Sequence, residues 1–441
     1  MKLVLSAEGY SPRVLQTLVR QGGKAASFAD ACDDLAELSH VQISAKHLER
    51  LVERVGGEWA AARDADVAAF EAGRLERDYP QPPPPDVVGA VMLDGGRVQT
   101  RAAERGPGVH EPGWKETKVA CCLTLNVPAA SESDPQPEPP AKFLDPPRVV
   151  KLVQQVKARS AIAGVVAGGG GSAGRNQKKD TDKKGKDEKA TPGATRRERD
   201  KAGKSKRAKR LVRTAVATMA DAAAFGWQVG AEVHRRGLDR AARKACVCDG
   251  QRYNWSIYDL HLAGAGFVGI LDFLHLLVYL YAAAQAWMGR GSVRAWECYE
   301  RWLRAAWAGR TADLLTDLGE ASAKLGPPPK GADKDEQDPR RVVADALTYV
   351  SNNQERMDYP RYRKLGLPIS SAPVESLIKQ FNRRVKGSEK FWLKGGAEAV
   401  LQVRAAYLSE DGRADRYWSR PRPHRRAAGH GPLPQRQRQL A

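Results

Sequence analysis

Apolar residues at helical spacing predict three helices within the first 60 residues of the chain. The first begins at Ser11-Pro12, because proline suits the first helical position, and the pair Gly22-Gly23 is predicted to end it. A second helix is predicted from Phe28 to Leu38. Ser44 is a suitable N-cap for a third helix, whose predicted end is Gly56-Gly57.

The second and third helices are joined by a short turn from Ser39 to Ile43, which is the helix-turn-helix pattern. A further helix is predicted at 60–80, so residues 1–80 are predicted to form a helical, DNA-binding domain. A small three-helix bundle of another function would give the same pattern. The side chains of the third helix that could face a DNA groove are Lys46, His47, Arg50 and Arg54.

After the proline run Pro82–Pro85, which marks a linker, the pattern changes from helices to strands. Strands are predicted at Val87–Leu93, Arg97–Arg101 and Lys115–Asn126. Between the first two stands Asp94-Gly95-Gly96, which is predicted to be a tight hairpin turn. A strand end holds a carboxylate rigidly, and the glycines would let a metal ion or a phosphate come close. On this segment alone, the simpler interpretation is that Asp94 opens a turn.

The later ordered segments alternate between strands and helices. Short strands are predicted at Lys244–Asp249 and Phe267–Asp272, and each ends in a carboxylate. The predicted helices are 148–163, 212–241, one that starts at Phe273, a helical block at 282–355 and Val374–Val385. Three strands followed by strand–helix units is the order of an RNase H-like domain. The predicted fold class is therefore α/β, RNase H-like, with an all-helical insertion.

This order divides the chain into predicted domains. The RNase H-like domain covers 86–281 and resumes at 356–418, and the helical insertion at 282–355 lies between the two parts. Two segments within the first part are low-complexity inserts: 127–147, rich in Pro, Ser and Glu, is predicted to be a loop, and 167–208 is predicted to be disordered because it cannot form a core. The tail, 419–441, is rich in Arg, Pro, His and Gln and is predicted to be basic and disordered.

Composition adds an expectation about partners and compartment. Lys and Arg number 72 against 52 Asp and Glu, for a formal charge of +20, which favours an anionic partner such as nucleic acid. Apolar runs fall short of the roughly 18 residues that a membrane span needs, and the start lacks a signal-peptide pattern. A cytoplasmic, nucleoid-associated protein is expected. Cys121-Cys122 and Cys246-x-Cys248 lack zinc spacing and are predicted to be core residues.

Three carboxylates at predicted strand or helix ends are candidates for metal-dependent chemistry. In an RNase H-like fold, carboxylates of the first strand, the fourth strand and a late helix meet at one edge, and here these are Asp94, Asp249 and Glu375. In-line cleavage of a phosphodiester uses two Mg²⁺ ions about 3.5–4 Å apart to activate the attacking oxygen and stabilise the leaving oxygen. Mg²⁺, or Mn²⁺ in its place, prefers such oxygen ligands.

Several ordered blocks of the chain resemble the ISKra-type insertion-sequence transposases, which are related to the Mutator-like transposases. The resemblance covers most of residues 25–420 apart from the two inserts. The blocks are Val91–Arg97 around Asp94, Gly113–Val119 (Gly-Trp-Lys-Glu-Thr-Lys-Val), Leu211–Val216, Asp249-Gly250, Ile270–His275 and Ser371–Gly387 around Glu375.

The resemblance implies a DDE transposase that cleaves and joins DNA strands at the ends of an insertion sequence. It makes Asp94 the first catalytic aspartate and Glu375 the glutamate. Two residues compete for the second aspartate. Asp249 fits the end of the fourth strand, whereas Asp272 with His275 resembles the Cys/Asp-x-x-His signature of related transposases. His275 would then position Asp272 or the substrate, although a structural histidine is an equally good interpretation.

The implied partners are the terminal inverted repeats of the element, the target DNA, and further copies of the chain in a homodimer or higher oligomer on DNA. Cations that follow Glu375 could hold the DNA strand: Lys379, Arg383, Arg384 and Lys386. Surface ion pairing is the simpler interpretation of Lys379, which lies one helical turn after Glu375. The competing functions are an RNase H-like nuclease or resolvase without strand joining, and an inactive repressor derived from a transposase.

Overall fold

A computed structural model describes residues 9–106, 111, 113–127, 136–164, 208–329 and 338–420. The predicted insert at 167–208 lies outside the described residues except for residue 208, and the predicted tail is described only at 419 and 420. Of the other insert, residues 128–135 lie outside the described part.

The described chain alternates between helices and a few strands. The strands are β1 (Val87–Gln99), β2 (Trp114–Asn126), β3 (Lys209–Thr218), β4 (Arg243–Cys248) and β5 (Val268–Leu271). The α-helices are α1 (Pro12–Lys24), α2 (Phe28–Ser39), α3 (Ala45–Glu71), α4 (Pro146–Gly164), α5 (Ala222–Arg235), α6 (Arg252–His261), α7 (Phe273–Met288), α8 (Val293–Trp307), α9 (Thr311–Leu325), α10 (Pro339–Asn353), α11 (Tyr359–Lys364), α12 (Ala372–Val385), α13 (Lys394–Leu408) and α14 (Arg413–Ser419).

The strands form one five-stranded sheet in the order β3-β2-β1-β4-β5. β1 and β2 are antiparallel, with Val87 opposite Asn126 and Gln99 opposite Trp114. β4 is parallel to both β1 and β5. The sheet is therefore mixed, and the predicted α/β class is confirmed at this level.

The hairpin predicted at Asp94-Gly95-Gly96 is wrong, because β1 continues straight through it to Gln99. The glycines instead allow close packing. A Cβ on Gly96 would lie 2.7 Å from Thr117 Oγ1 and 3.4 Å from Asn382 Oδ1, so a side chain would collide with its neighbours. β1 ends only at Gln99, so Asp94 lies within a long strand rather than at its end.

The helix predicted over 212–241 is also wrong in its first part. Residues 209–218 form β3, and the helix begins only at Ala222, after Asp221 caps it through a hydrogen bond from the Ala224 amide. The β-branched residues Val212, Thr214, Val216 and Thr218 alternate along this segment, which favours a strand.

Glycine pairs that were predicted to end helices instead lie inside them. α1 continues through Gly22-Gly23 to Lys24, and α3 continues through Gly56-Gly57 to Glu71, so it includes the start of the separate helix predicted at 60–80. A Cβ on Gly22 would lie 2.7 Å from Val52 Cγ2, and one on Gly56 would lie 2.2 Å from the Ala399 carbonyl oxygen. These glycines let helices cross at close range. The predicted N-cap Ser44 is confirmed, and α1 begins where it was predicted, with Ser11 as its N-cap.

This crossing predicts opposite effects for two adjacent glycines of α3. Gly56→Ala should lower the free energy of unfolding by about 1–3 kcal/mol, because the new methyl group would meet the α13 backbone. Gly57→Ala should raise it by about 0.5–1 kcal/mol, since a Cβ there has nothing within 4 Å and alanine favours a helix. Urea unfolding of the two variants measures both effects. Equal effects would contradict the proposed role of Gly56.

The chain divides into two compact units. The first contains the N-terminal helices, the sheet and the C-terminal helices: residues 1–126, 210–272 and 367–441. The buried strands hold Cys121, Cys122, Cys246 and Cys248, as predicted. Burial raises the pKa of the Cys121 thiol to about 12.

The second unit consists of residues 127–209 and 273–366, so it contains the predicted insertion and adds α4. Its core is aromatic. The Phe273 ring packs edge-on against Trp307 and Tyr359, and Trp302 is fully buried. Trp307 is buried in the same core. Among the described residues, the helices lack the length or apolar character needed to cross a membrane.

Candidate active site

Three aspartates come directly after the last residues that β1, β4 and β5 pair in parallel. Leu93 of β1 is in register with Cys248 of β4, which is in register with Leu271 of β5. The next residues are Asp94, Asp249 and Asp272. The Asp272 amide donates a hydrogen bond to the Cys248 carbonyl over 2.8 Å, so β4 and β5 remain aligned as far as Asp272. Because neighbouring strands lie about 4.8 Å apart, the three aspartates line one edge of the parallel part of the sheet.

Asp94 is half-buried on the face of the sheet that α12 covers. Side chains alternate along a strand, so Asp94 and Gly96 share a face. The Cβ position of Gly96 is 3.7 Å from Ile378 Cγ2 of α12. The Asp94 carboxylate accepts a hydrogen bond from the Gly95 amide over 2.7 Å, which fixes its orientation.

Glu375 lies in the first turn of α12, as predicted. Pro373 suits the start of this helix. Just before the helix, Ser371 donates a hydrogen bond to Asp272 Oδ2, and both residues are buried. This bond joins the start of α12 to the end of β5.

Asp272, His275 and Glu375 form a group that could hold a metal ion. Each offers one ligand atom, and these atoms lie within 4.8 Å of one another. His275 follows Asp272 by one helical turn along the chain. Two carboxylates and an imidazole suit Mn²⁺ or Zn²⁺ at least as well as Mg²⁺, which prefers oxygen ligands alone.

Asp249 lies beside this group in the sheet but outside it. Its Oδ1 accepts hydrogen bonds from the Gln251 amide over 3.1 Å and from Asn254 Nδ2 over 2.9 Å, so it fixes the start of α6. Asp249 is only half-buried, whereas Asp272 is 0% exposed. The sequence left the choice between them open, and the structure places both candidates on adjacent strand ends.

Three residues to which the sequence assigned no role pack against Gly95, the residue after Asp94. On β2, Lys118 Nζ donates to Glu116 Oε2 over 3.1 Å. Tyr253 of α6 lies against them, with its ring 5.8 Å from Lys118 Nζ. Burial, followed by the negative charges of Asp249, Glu116 and Asp94, raises the pKa of Tyr253 above its usual value. The only signal in the sequence was that Glu116 and Lys118 belong to one of the blocks named above.

The cations predicted on α3 differ in exposure. Lys46 and Arg50 are exposed, although Lys46 pairs with Glu49 over 2.7 Å. The His47 ring is half-buried at 5.9 Å from that of Tyr10. Arg54 pairs with Glu58 over 2.9 Å. Lys46 and Arg50 are therefore the two that present their side chains most openly.

Among the cations predicted on or after α12, Lys379 and Arg383 are exposed and Lys386 is half-buried. Burial, with Arg97 nearby, lowers the pKa of Lys386.

The prediction for Arg384 needs correction. Its side chain is buried, its Nε donates to the Gly22 carbonyl over 2.9 Å, and its guanidinium lies 4.2 Å from the Phe28 ring. Arg384 therefore joins α12 to the N-terminal helices and is not exposed to a DNA strand.

Comparison with known proteins gives no family for this chain. No family model matches it, and a search of the curated proteins found no significant match.

Proposed function

We propose that this protein is a DDE transposase, which uses divalent metal ions to cleave DNA at the ends of an insertion sequence and to join it to a target. The observation that carries the proposal is the alignment of Asp94, Asp249 and Asp272 at one sheet edge, with Glu375 close to Asp272. Acidic residues repel one another, so four of them gathered at one edge favour a site that binds cations.

The topology supports an RNase H-like catalytic domain. When α4, which belongs to the second unit, is set aside, β1, β2 and β3 are followed by α5, β4, α6 and β5, and the sheet order is β3-β2-β1-β4-β5. The second unit is inserted in the chain at two points, between β2 and β3 and between β5 and α12, and the latter is where the sequence predicts a helical insertion. The glutamate then follows on the next helix of the first unit.

We assign the metal ligands to Asp94, Asp249 and Glu375. A catalytic ion needs open positions for water and phosphate oxygen, and half-buried Asp94 and Asp249 meet this need better than fully buried Asp272. Asp272 instead supports Glu375 through Ser371. Two bound Mg²⁺ or Mn²⁺ ions would activate the attacking oxygen and stabilise the leaving oxygen.

The cationic side chains would bind and orient the DNA. Lys379 lies one helical turn after Glu375, and Arg383 lies one turn further along the same face. Both are exposed, so they can contact the phosphates that flank the cleaved bond. On α3, Lys46 and Arg50 would contact the terminal repeat. Cleavage of both element ends would require a homodimer or a higher oligomer on the DNA.

The test is incubation with DNA that carries the element's flanking genomic ends, in Mg²⁺ and in chelator. The wild type should release nicked ends and joined products in Mg²⁺ alone, and Asp94→Ala should release neither. Asp86→Ala is the control, because Asp86 is an exposed aspartate just before β1 and away from the carboxylate edge. Nicked ends without joined products would indicate a nuclease, and binding without cleavage would indicate a repressor.

A further inference from the structure

Glu116, Lys118 and Tyr253 form a small polar cluster behind Asp94, which we name the Tyr253 cluster. Glu116 and Lys118 lie opposite Arg97 and Gly95 across the β1–β2 pair, on the face of the sheet away from Asp94. A Cβ on Gly95 would lie 3.1 Å from Glu116 Oε1 and 3.2 Å from Tyr253 Oη. The cluster therefore packs directly onto the backbone next to Asp94.

The same tyrosine belongs to the segment that holds Asp249. Tyr253 lies in the first turn of α6, and the next residue, Asn254, donates a hydrogen bond to Asp249 Oδ1 over 2.9 Å. The Gln251 amide donates to the same oxygen over 3.1 Å. The start of α6 thus holds Asp249 on one side and contacts the Asp94 segment through Tyr253 on the other.

We propose that Tyr253 is a positioning residue which, through Glu116 and Gly95, sets the separation of the Asp94 and Asp249 carboxylates and thereby the affinity of the site for divalent metal. The inference rests on the proposed function in its assignment of these two aspartates as metal ligands. It gives a physical role to the Glu116-x-Lys118 block.

Charge supports this role. Asp94 and Asp249 follow the ends of aligned segments, so their carboxylates repel each other before a cation binds. Lys118, only 7% exposed, pairs with Glu116, so the cluster adds no net charge to that repulsion and acts on the two aspartates through its contacts. Without the Tyr253 hydroxyl, the start of α6 would lose its polar contact with β2, and the two carboxylates could move apart.

The experiment measures Mn²⁺ binding to the full chain without DNA, by the loss of free Mn²⁺ signal in electron paramagnetic resonance. Tyr253→Phe should weaken binding about 10-fold, the size of effect typical when a group that supports a metal ligand is removed. Tyr258→Phe is the matched control on the same helix, because its hydroxyl donates to the Phe267 carbonyl over 2.9 Å. The control should bind Mn²⁺ as the wild type does.

A double-mutant cycle separates this role from a general loss of stability. Glu116→Gln should also weaken Mn²⁺ binding, and the double variant should be little worse than either single one, because both act through one contact. Mn²⁺ binding by Tyr253→Phe equal to that of the wild type, or additive effects, would overturn the inference.

The outcomes for this inference and for the proposed function differ. A wild type that binds Mn²⁺ through Asp94 but leaves DNA uncleaved would overturn the transposase proposal, and weaker binding by Tyr253→Phe would still support the positioning role. If the wild type cleaves DNA but Tyr253→Phe binds Mn²⁺ as tightly as the wild type, the transposase proposal is supported and the positioning role of Tyr253 is overturned. Absence of Mn²⁺ binding by the wild type would refute both.

Discussion

Asp249→Asn should lower the rate of metal-dependent strand cleavage by about 10³-fold or more, which corresponds to about 4 kcal/mol in the barrier. The change replaces a charged ligand by a neutral amide of the same shape. The Asn side-chain oxygen can still accept hydrogen bonds from the Gln251 amide and Asn254 Nδ2, so α6 should still begin at the same residue. The measurement is single-turnover cleavage of an end-containing DNA in Mg²⁺, with far-ultraviolet circular dichroism to verify the fold.

Asp272→Asn is the matched variant on the neighbouring strand. Its amide oxygen can still accept the Ser371 hydrogen bond, so the start of α12 and the position of Glu375 should be kept in large part. We expect a loss of only about 10-fold, the scale of a group that supports a metal ligand. An active Asp249→Asn beside an inactive Asp272→Asn would reverse the assignment and make the group of Asp272, His275 and Glu375 the metal centre.

The chain's local patterns located the acidic residues of this edge but not the contacts between them. Asp94, Asp249 and Asp272 each follow a short apolar run, and Pro373 marks the helix that carries Glu375, so each carboxylate could be located from its neighbours in sequence. The hydrogen bond between Ser371 and Asp272 joins residues 99 positions apart, and local pattern carries no information about such a contact.

Glycine shows why part of the fold was mispredicted. The same residue type ends a helix, turns a hairpin or makes room for a crossing backbone, and only tertiary packing distinguishes these uses. Gly56 makes room for the α13 backbone and Gly96 for Thr117, so neither ends its element. β3 is a different case, because its β-branched alternation was present in the sequence and could have been recognised.

Arg413→Met should lower the free energy of unfolding by about 3–5 kcal/mol at neutral pH, because it removes the cation that two buried carboxylates share and leaves Glu232 with Arg235 and Asp411 only with the more distant Arg236. Arg413 pairs with Glu232 over 2.7 Å and with Asp411 over 2.6 Å. Asp411 also accepts from Thr214 over 3.0 Å. Arg416→Met on the same helix is the control, since its pair with Asp78 is half-exposed and should contribute less than about 1 kcal/mol.

The pH dependence of this effect follows from the carboxylates. Burial opposes ionisation, but the charges of Arg413 and Arg235 outweigh it and hold the pKa of Glu232 below its usual value, and Arg413 does the same for Asp411. A lowered folded-state pKa contributes stability above the unfolded value of about 4, and that stability is lost as the pH falls through the folded-state pKa. The wild type should therefore lose its advantage over Arg413→Met as the pH decreases below about 4. Urea unfolding of both proteins between neutral and acidic pH measures the difference, and a gap that stayed constant would show that packing of the Arg413 side chain, rather than its charge, stabilises this part of the fold.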